Sequence, residues 1–243
     1  MTYRTHTDFL SQRETATPVN DRLRIFVQEY LAYRDRRQQP LKLLDVGCGK
    51  TPVLFDFKAN EDFYHGVDFY PAPSVALDAY TSLDLNSTSL RTRLSTQFDV
   101  VFCGEVIEHL FSPDALLEDI RELMHDTSIL ILSTPNLGYY VNRVLLALGI
   151  SPLFLENSSQ AKLGRRFRRL GQGNPTEGHV RLFTTGALRD ILELHGFSIQ
   201  KHVPTTVWDF PLDRLVGRLS TALAPISVVV ARRGSPRTHS LPR

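Results

Sequence analysis

Residues 41–49 read LKLLDVGCG and decide the fold, because a short apolar run ends here in an acid and two glycines. A run of this kind is typical of a buried parallel strand that leads into a loop. Glycine lacks a Cβ, so Gly47 and Gly49 allow the backbone to turn tightly and to approach a ligand closely. The stretch therefore predicts the first strand of an α/β sheet, with a ligand-binding loop after it.

Similar apolar runs recur along the chain, and helical patterns separate several of them. Further strands are predicted at residues 63–68, 98–103, 128–135, 197–203 and 226–233. Strands that alternate with helices favour βαβ units, a parallel sheet and helices on both of its faces. The sequence thus predicts a doubly wound α/β fold.

Capping residues mark where the helices begin and end. Helices are predicted to begin after Asn20 or Asp21, at Ser112 and Pro113, and at Thr184 or Thr185. The first is expected to run to about Arg36, and Gly196 is expected to end the last.

One domain is expected over residues 1–243. Residues 137–180 are too long for a plain connection, so we interpret them as an insertion on the substrate side. The parts are an N-terminal helical segment (1–40), a ligand-binding half (41–136), the insertion (137–180), a C-terminal half (181–233) with a cap (204–225), and a flexible tail (234–243).

Composition excludes several classes of protein. The net charge of +2 does not by itself indicate a nucleic-acid binder, and 42% hydrophobic residues are ordinary for a globular chain. Cys48 and Cys103 provide neither a disulfide framework nor a set of zinc ligands, so we expect free thiols.

The N-terminus lacks the apolar core of a signal peptide, and no apolar run is long enough for a transmembrane segment. A cytoplasmic protein is expected.

Acidic residues stand where three successive strands should end. Asp45 ends the first strand, Asp68 ends the second, and Asp84 follows a predicted third. Because the carboxyl ends of parallel strands meet at one edge of the sheet, these acids predict one ligand pocket. A carboxylate at Asp45 would repel a dinucleotide's pyrophosphate but suits a cationic ligand. An acid at the position of Asp68, at the end of the second strand, typically binds ribose hydroxyls. Alternatively, each acid shapes a turn or caps a helix.

Five motifs carry a family resemblance. In order, LLDVGCGKT, GVDFY, LDLN, FDVVFCGEVIEHL and ILSTPN resemble those of class I S-adenosylmethionine-dependent methyltransferases. The likeness covers residues 41–136 well, and residues 178–197 match a later part of the family less specifically. It implies a Rossmann-like, mostly parallel sheet of seven strands with the last strand antiparallel, and S-adenosylmethionine as donor with S-adenosylhomocysteine as product. Thr51 stands where the family usually has a third glycine, a departure that concerns the path of the loop.

The resemblance also implies which residues bind the donor. Asp45, Gly47 and Gly49 would line its methionine and ribose side, Asp68 the ribose, and Asp84 the adenine. The full set of cofactor-binding candidates is Asp45, Gly47, Cys48, Gly49, Asp68, Phe69, Asp84, Leu85, Gly104 and Glu105.

The segment GEVIEHL, residues 104–110, supplies catalytic candidates. Glu105, Glu108 and His109 are spaced i, i+3 and i+4, so on a helix they would project from one face toward the strand ends. This ExxEH pattern, with His179 later, is similar to that of small-RNA 3′-terminal 2′-O-methyltransferases and ubiquinone-pathway O-methyltransferases. That likeness implies metal-assisted deprotonation of a hydroxyl, with magnesium or manganese held by Glu105, Glu108, His109 and His179. Alternatively, His109 acts as a base without metal, or these residues are structural.

Two polar residues near the substrate side have more than one interpretation. Asn136 follows the fifth strand and either orients the substrate or the donor, or shapes a turn with Pro135. Arg181, beside His179, either holds an anionic group of the substrate or forms a surface salt bridge.

Residues 161–170, AKLGRRFRRL, predict a short basic amphipathic helix in the insertion. An anionic partner can dock there: a phosphate-linked sugar, an RNA backbone, or a membrane surface in peripheral contact. The alternative is a solvated arginine face. Aromatic residues in the insertion and the cap either stack on a substrate or fasten these segments to the core; they are Tyr139, Tyr140, Trp208 and Phe210.

These features favour O-methylation of a hydroxyl on a small metabolite, glycan or lipid-linked precursor. An RNA ribose 2′-O-methyltransferase is the first alternative, although the near-neutral charge and the lack of a recognisable RNA-binding module speak against it. The second is a noncatalytic, cofactor-binding regulatory protein. A dehydrogenase is disfavoured because the loop reads GCGKTP and lacks GxGxxG.

Overall fold

A seven-stranded sheet organises the computed structural model, which describes residues 21–50, 52, 54–73, 75–206 and 211–234. Its strands are β1 Lys42–Val46, β2 Phe63–Asp68, β3 Ala79–Ser82, β4 Phe98–Gly104, β5 Met124–Pro135, β6 Phe197–Thr205 and β7 Ile226–Arg233. The order is β3-β2-β1-β4-β5-β7-β6, and β7 runs antiparallel to both neighbours. The predicted Rossmann-like sheet is confirmed. The expectations for Asn20, Thr51, Trp208, Phe210 and residues 235–243 lie outside the described residues.

Five α-helices accompany the sheet in the described ranges: α1 Asp21–Arg37, α2 Pro113–Glu122, α3 Tyr140–Ala147, α4 Thr185–Leu194 and α5 Pro211–Leu219. The described part of the connection from β1 to β2 carries only a 3-10 turn, Phe55–Phe57. Helices therefore alternate with strands less regularly than the sequence predicts. The division of the chain into the segments given above stays a prediction.

Each face of the sheet is covered by its own apolar core, because successive residues of a strand point to opposite sides. Leu43 packs in the core beneath α1, whereas Leu44 packs in the core beneath α2 and α4. Strands buried on both faces in this way are typical of parallel sheets. The predicted covering of both faces is confirmed, and the free thiols of Cys48 and Cys103 are buried.

The start of α2 offers a test of the local energetics. Ser112 caps the helix, and its side chain accepts a hydrogen bond from the Ala115 N–H at 3.3 Å. Replacing Ser112 by alanine removes that acceptor and should lower the free energy of unfolding by about 1 kcal/mol. Urea unfolding followed by circular dichroism measures this as a lower midpoint at an unchanged slope. Ser95→Ala, at an exposed position outside the helices, should leave the midpoint unchanged; an equal shift in both variants would contradict the capping role.

The predicted amphipathic helix over residues 161–170 is wrong. Only Arg168–Leu170 form a short 3-10 turn, because Gly164 and Arg166 have φ angles of 74° and 60° that no α-helix accommodates. Two of the basic residues are buried: Lys162 pairs with Glu177, and the Arg165 guanidinium donates to the Leu170 carbonyl oxygen at 3.0 Å. The cations left exposed in this segment are Arg166, Arg168 and Arg169.

The described ranges contain no helix with the length and apolar character needed to traverse a bilayer. The cytoplasmic location stays a prediction.

Candidate active site

The loop after β1 depends on its first glycine. Gly47 has a φ of 74°, and a Cβ built on it would lie 2.2 Å from the Cγ2 atom of Val106. The N–H groups of Gly47 and Cys48 both donate to the Val67 carbonyl oxygen, at 2.8 and 3.1 Å. Gly49 repeats the left-handed conformation with a φ of 70°. The loop is therefore held against β2 and against the segment after β4, as a glycine-dependent turn requires.

Asp68, at the end of β2, shapes this loop directly. Its Oδ2 accepts the Gly49 N–H at 2.8 Å, and its Oδ1 accepts the Tyr70 N–H at 3.2 Å. A carboxylate has about four acceptor positions, so lone pairs remain for ribose hydroxyls. Next to it, Phe69 is 63% exposed and its ring lies 4.0 Å from that of Tyr70. Asp68 therefore keeps acceptor positions, and Phe69 an exposed ring, for a ligand of the loop, and their roles in cofactor binding stay predictions.

Asp84 lies two residues beyond β3 and is exposed. Its Oδ1 accepts the Asn86 N–H at 2.9 Å, and its carbonyl oxygen accepts the Ser87 N–H at 3.1 Å. This is the turn-forming geometry that the sequence offered as the alternative to adenine binding. Leu85 beside it is half-buried against the core under α2.

Asp45 is buried within β1 rather than exposed at the strand's end. The Tyr64 hydroxyl donates to its Oδ2. Burial raises the pKa of Asp45 from 3.8 to about 7; the negative charge of Asp68 adds to this, whereas the Tyr64 hydrogen bond and the positive charge of Arg22 oppose it. A cation that binds nearby would lower this pKa and favour the ionised carboxylate of Asp45.

The raised pKa of Asp45 predicts a pH dependence of stability. The folded chain holds this proton between pH 3.8 and about 7, where the unfolded chain has released it. The stability that Asp45 contributes is therefore complete below the unfolded pKa and is lost as the pH rises toward 7. Asp45→Asn cannot lose a proton in this way. As the pH rises across that window, the free energy of unfolding of the variant should therefore increase relative to that of the wild type, by up to about 1.4 kcal/mol per pH unit.

Urea unfolding of the ligand-free protein at several pH values measures this difference. Asp35→Asn removes an exposed carboxylate of α1 and is the matched control. If the free energies of unfolding of the wild type and Asp45→Asn ran parallel against pH, the pKa of Asp45 would not be raised by burial.

The predicted helix through Glu105, Glu108 and His109 is wrong. Glu105 has a φ of 58°, and only Ile107–His109 form a 3-10 turn. The chain bends here because the Glu105 N–H donates to the Ser133 carbonyl oxygen at 3.0 Å, which continues the pairing of β4 with β5. The Glu105 carboxylate accepts the Ser133 hydroxyl at 2.8 Å and pairs with Arg22 at 3.2 Å. Gly104, a cofactor candidate, is the last residue of β4.

Glu108 is the most deeply buried carboxylate of the site. Its side chain is 0% exposed, and its Oε2 accepts the Thr134 hydroxyl at 2.9 Å. Its Oε1 has no hydrogen-bond partner and lies 4.0 Å from the Nε2 atom of His109. Burial and the negative charge of Glu105 raise the pKa of Glu108 well above its ordinary value. A buried, unpartnered carboxylate oxygen is costly, so this atom requires an explanation.

The structure brings His179 to His109, as the resemblance implied. The Val180 N–H donates to the Glu108 carbonyl oxygen at 2.9 Å, and the two imidazole centroids are 4.9 Å apart. Glu108, His109 and His179 each offer a ligand atom within 4.8 Å of the others. Glu105 is not in this group, because its carboxylate faces Arg22 and Ser133.

Backbone carbonyls fix the orientation of both histidines. The Nδ1 atom of His109 lies 3.0 Å from the Gly178 carbonyl oxygen, and that of His179 lies 3.0 Å from the Phe154 carbonyl oxygen. Because a carbonyl oxygen only accepts, each Nδ1 carries the proton and each Nε2 of the neutral ring presents a lone pair. This second hydrogen bond is what orients imidazoles that bind metals or remove protons.

Two further candidates have structural partners. Asn136 is fully buried and donates to the carbonyl oxygens of Ala222 and Ala224, at 3.0 and 2.7 Å. Arg181 donates to the carbonyl oxygen of Phe111 at 2.6 Å. These contacts favour the turn-shaping interpretation for Asn136 and a role in holding the segment after His109 for Arg181.

Sequence reasoning missed three residues of this site: Thr134, Ser133 and Arg22. The two hydroxyls lie on β5 within the motif ILSTPN, which points to the region but not to its hydrogen bonds. Arg22 belongs to α1, and no local pattern indicates that it reaches Glu105.

A family model described as a methyltransferase domain matches residues 16–202, more than half of the chain. The sheet has the order and the antiparallel last strand of the class I fold. The chain therefore belongs to this methyltransferase family, in its class I, S-adenosylmethionine-dependent branch.

The curated relatives match less than half of this chain. The ubiquinone biosynthesis O-methyltransferase of Pasteurella multocida is 24% identical over 124 residues, which span 44% of this chain and 51% of that one. A mitochondrial protein of the same name from Schizosaccharomyces pombe is 30% identical over 115 residues, covering 44% and 40%. The chain thus spans about half the length of the curated relatives it matches.

Solved structures share the fold at low identity. A 1,6-didemethyltoxoflavin N1-methyltransferase from Burkholderia thailandensis superposes with a TM-score of 0.52 at 13% identity, covering 94% of this chain and 87% of that one. Magnesium protoporphyrin IX methyltransferase from Synechocystis PCC 6803 gives 0.50 at 17% identity, covering 96% and 97%. At these identities the likeness concerns the fold alone.

Proposed function

We propose that this chain transfers the methyl group of S-adenosylmethionine to a hydroxyl oxygen of a small metabolite, glycan or lipid-linked precursor. Family membership supports the class of reaction, and the names of the curated relatives favour oxygen as the acceptor atom. The donor is a sulfonium cation. It suits an edge of the sheet where Asp45, Asp68 and Glu105 place three carboxylates, of which only Glu105 pairs with a cation, Arg22, among the contacts described above.

The observation that carries the acceptor chemistry is the unpartnered Oε1 of Glu108, faced by the Nε2 atom of His109. A divalent cation fits this oxygen and nitrogen set, because both histidines already direct a lone pair away from a bonded Nδ1. Glu108, His109 and His179 would hold magnesium or manganese there. When bound, the ion would lower the pKa of the acceptor hydroxyl.

The protein's own residues supply the remaining chemistry. Without a bound ion, the Nε2 lone pair of His109 would instead be free to take the proton of the acceptor hydroxyl as the methyl group is transferred. Thr134 holds the Glu108 carboxyl in place, and the bonded Nδ1 of each histidine prevents its ring from turning. The exposed Arg166, Arg168 and Arg169 give the insertion a positive surface for an anionic group of the acceptor.

A methyl-transfer assay with isotopically labelled donor tests this function. Hydroxyl acceptors from the three proposed classes are compared with amine analogues and with a short RNA, each with added manganese and after chelation. We expect label on a hydroxyl oxygen, and loss of turnover on chelation that manganese restores. Turnover that is indifferent to chelation would contradict the metal and favour His109 alone as base. Label on nitrogen only, or on the RNA only, would contradict the proposed acceptor.

A further inference from the structure

Glu156 lies in the insertion and binds the backbone that carries His179. Its side chain is only 3% exposed. The Oε1 atom accepts the Glu177 N–H at 2.7 Å, and Oε2 accepts those of Gly178 and His179 at 2.8 and 3.0 Å. Three backbone donors on one carboxylate form a charge-assisted set of hydrogen bonds, stronger than neutral ones.

Both histidine contacts depend on the segments that Glu156 joins. Gly178, held by Glu156 through its N–H, provides the carbonyl oxygen that orients His109. Phe154, two residues before Glu156, provides the carbonyl oxygen that orients His179. The Glu156 carboxylate therefore joins the two segments whose carbonyl oxygens orient the imidazole rings.

A direct ligand role for Glu156 is the competing interpretation, since Glu156, Glu177 and His179 also offer atoms within 4.8 Å of one another. Each oxygen of Glu156 is already engaged by a backbone N–H, and the Lys162 ammonium lies 3.9 Å away and pairs with Glu177. Burial raises the pKa of Glu156, but the three backbone N–H groups outweigh it and hold the pKa below its ordinary value. A lysine cation in this position disfavours a second metal ion.

We propose that Glu156 is a positioning residue that holds His109 and His179 in the orientation the acceptor site requires. The meaning of that orientation for catalysis rests on the proposed function, whereas the hydrogen bonds themselves can be tested without it.

The experiment uses the full chain with Glu156→Gln, whose amide group turns an acceptor into a donor facing backbone N–H groups. The matched control is Glu29→Gln. It removes the carboxylate of a residue in α1 that pairs with Lys201 at 2.8 Å. Amide hydrogen exchange at residues 177–179 should become roughly tenfold faster or more in Glu156→Gln and stay unchanged in Glu29→Gln. Nitrogen-15 NMR of labelled histidines should show that His109 and His179 lose their preference for protonated Nδ1.

Binding measurements separate this inference from the proposed function. S-adenosylhomocysteine affinity should be unchanged, while manganese affinity should fall by about 10- to 100-fold, as expected for a residue that orients ligands. If the wild type binds no manganese, the metal proposal fails, yet changed exchange and tautomers still support the positioning role. Unchanged exchange and tautomers would overturn it, whatever the activity. If Glu156→Gln does not fold, Glu156→Asp, with a shorter carboxylate, should show the same changes in smaller measure, and no change there would equally overturn it.

Discussion

Replacing Glu108 by glutamine should lower kcat/KM by a factor of about 10² to 10⁴, the range for losing acid–base assistance, because the ion that would lower the pKa of the acceptor hydroxyl loses its carboxylate ligand. The glutamine amide has the same shape, and its oxygen can still accept the Thr134 hydroxyl. It cannot provide a carboxylate oxygen opposite the Nε2 atom of His109. Because it also removes the cost of ionising a buried carboxyl, the variant should be at least as stable as the wild type.

Initial rates measure the loss of kcat/KM, thermal unfolding measures the stability of the variant, and titration with manganese measures its metal affinity. We expect S-adenosylhomocysteine affinity to stay within a factor of about two, since the loss concerns the acceptor side. Glu122→Gln removes an exposed carboxylate that pairs with Arg121 and serves as the control. Wild-type turnover in Glu108→Gln would contradict a role for this residue at the reacting atoms.

Replacing Gly47 by alanine should reduce S-adenosylhomocysteine affinity by about tenfold or more. The new Cβ would lie 2.2 Å from Val106, and the φ of 74° is strained for any residue with a side chain. The loop must shift away from Val106, and the backbone that is proposed to bind the donor shifts with it.

Gly173→Ala separates steric contact from backbone strain. Gly173 has a similar φ of 80°, but nothing lies within 4 Å of a Cβ built on it. Both variants should lose stability, by about 1 to 2 kcal/mol from the left-handed conformation alone. Only Gly47→Ala should lose affinity in calorimetric titration; equal affinities for the two variants would place the donor elsewhere.

Local patterns predicted the parts of the fold that depend on local chemistry. The strand and turn of residues 41–49 follow from apolar residues and glycines adjacent in sequence. The start of α2 follows from Ser112 capping its own helix. Such signals act within a few residues, so no tertiary information is needed to interpret them.

Other parts depend on distant contacts that no local pattern contains. The i, i+3, i+4 spacing of Glu105, Glu108 and His109 fits a helix, but pairing of Glu105 with Ser133 of β5 imposes a bend instead. His179 reaches His109 through hydrogen bonds across some seventy residues, and only the family resemblance pointed to it. Glu156 lacked even that signal, because its partners are backbone N–H groups, whose position depends on the folded insertion.

Calorimetric titration of the wild-type chain with S-adenosylhomocysteine tests the central claim most directly. The donor site requires saturable binding to one site. Asp68→Asn should weaken it because this carboxylate shapes the loop through Gly49 and is proposed to accept the ribose hydroxyls. The same titration with manganese should add a separate heat that Glu108→Gln abolishes. Absence of any saturable binding to the folded wild type would contradict the account, because a methyltransferase of this class must bind its demethylated product.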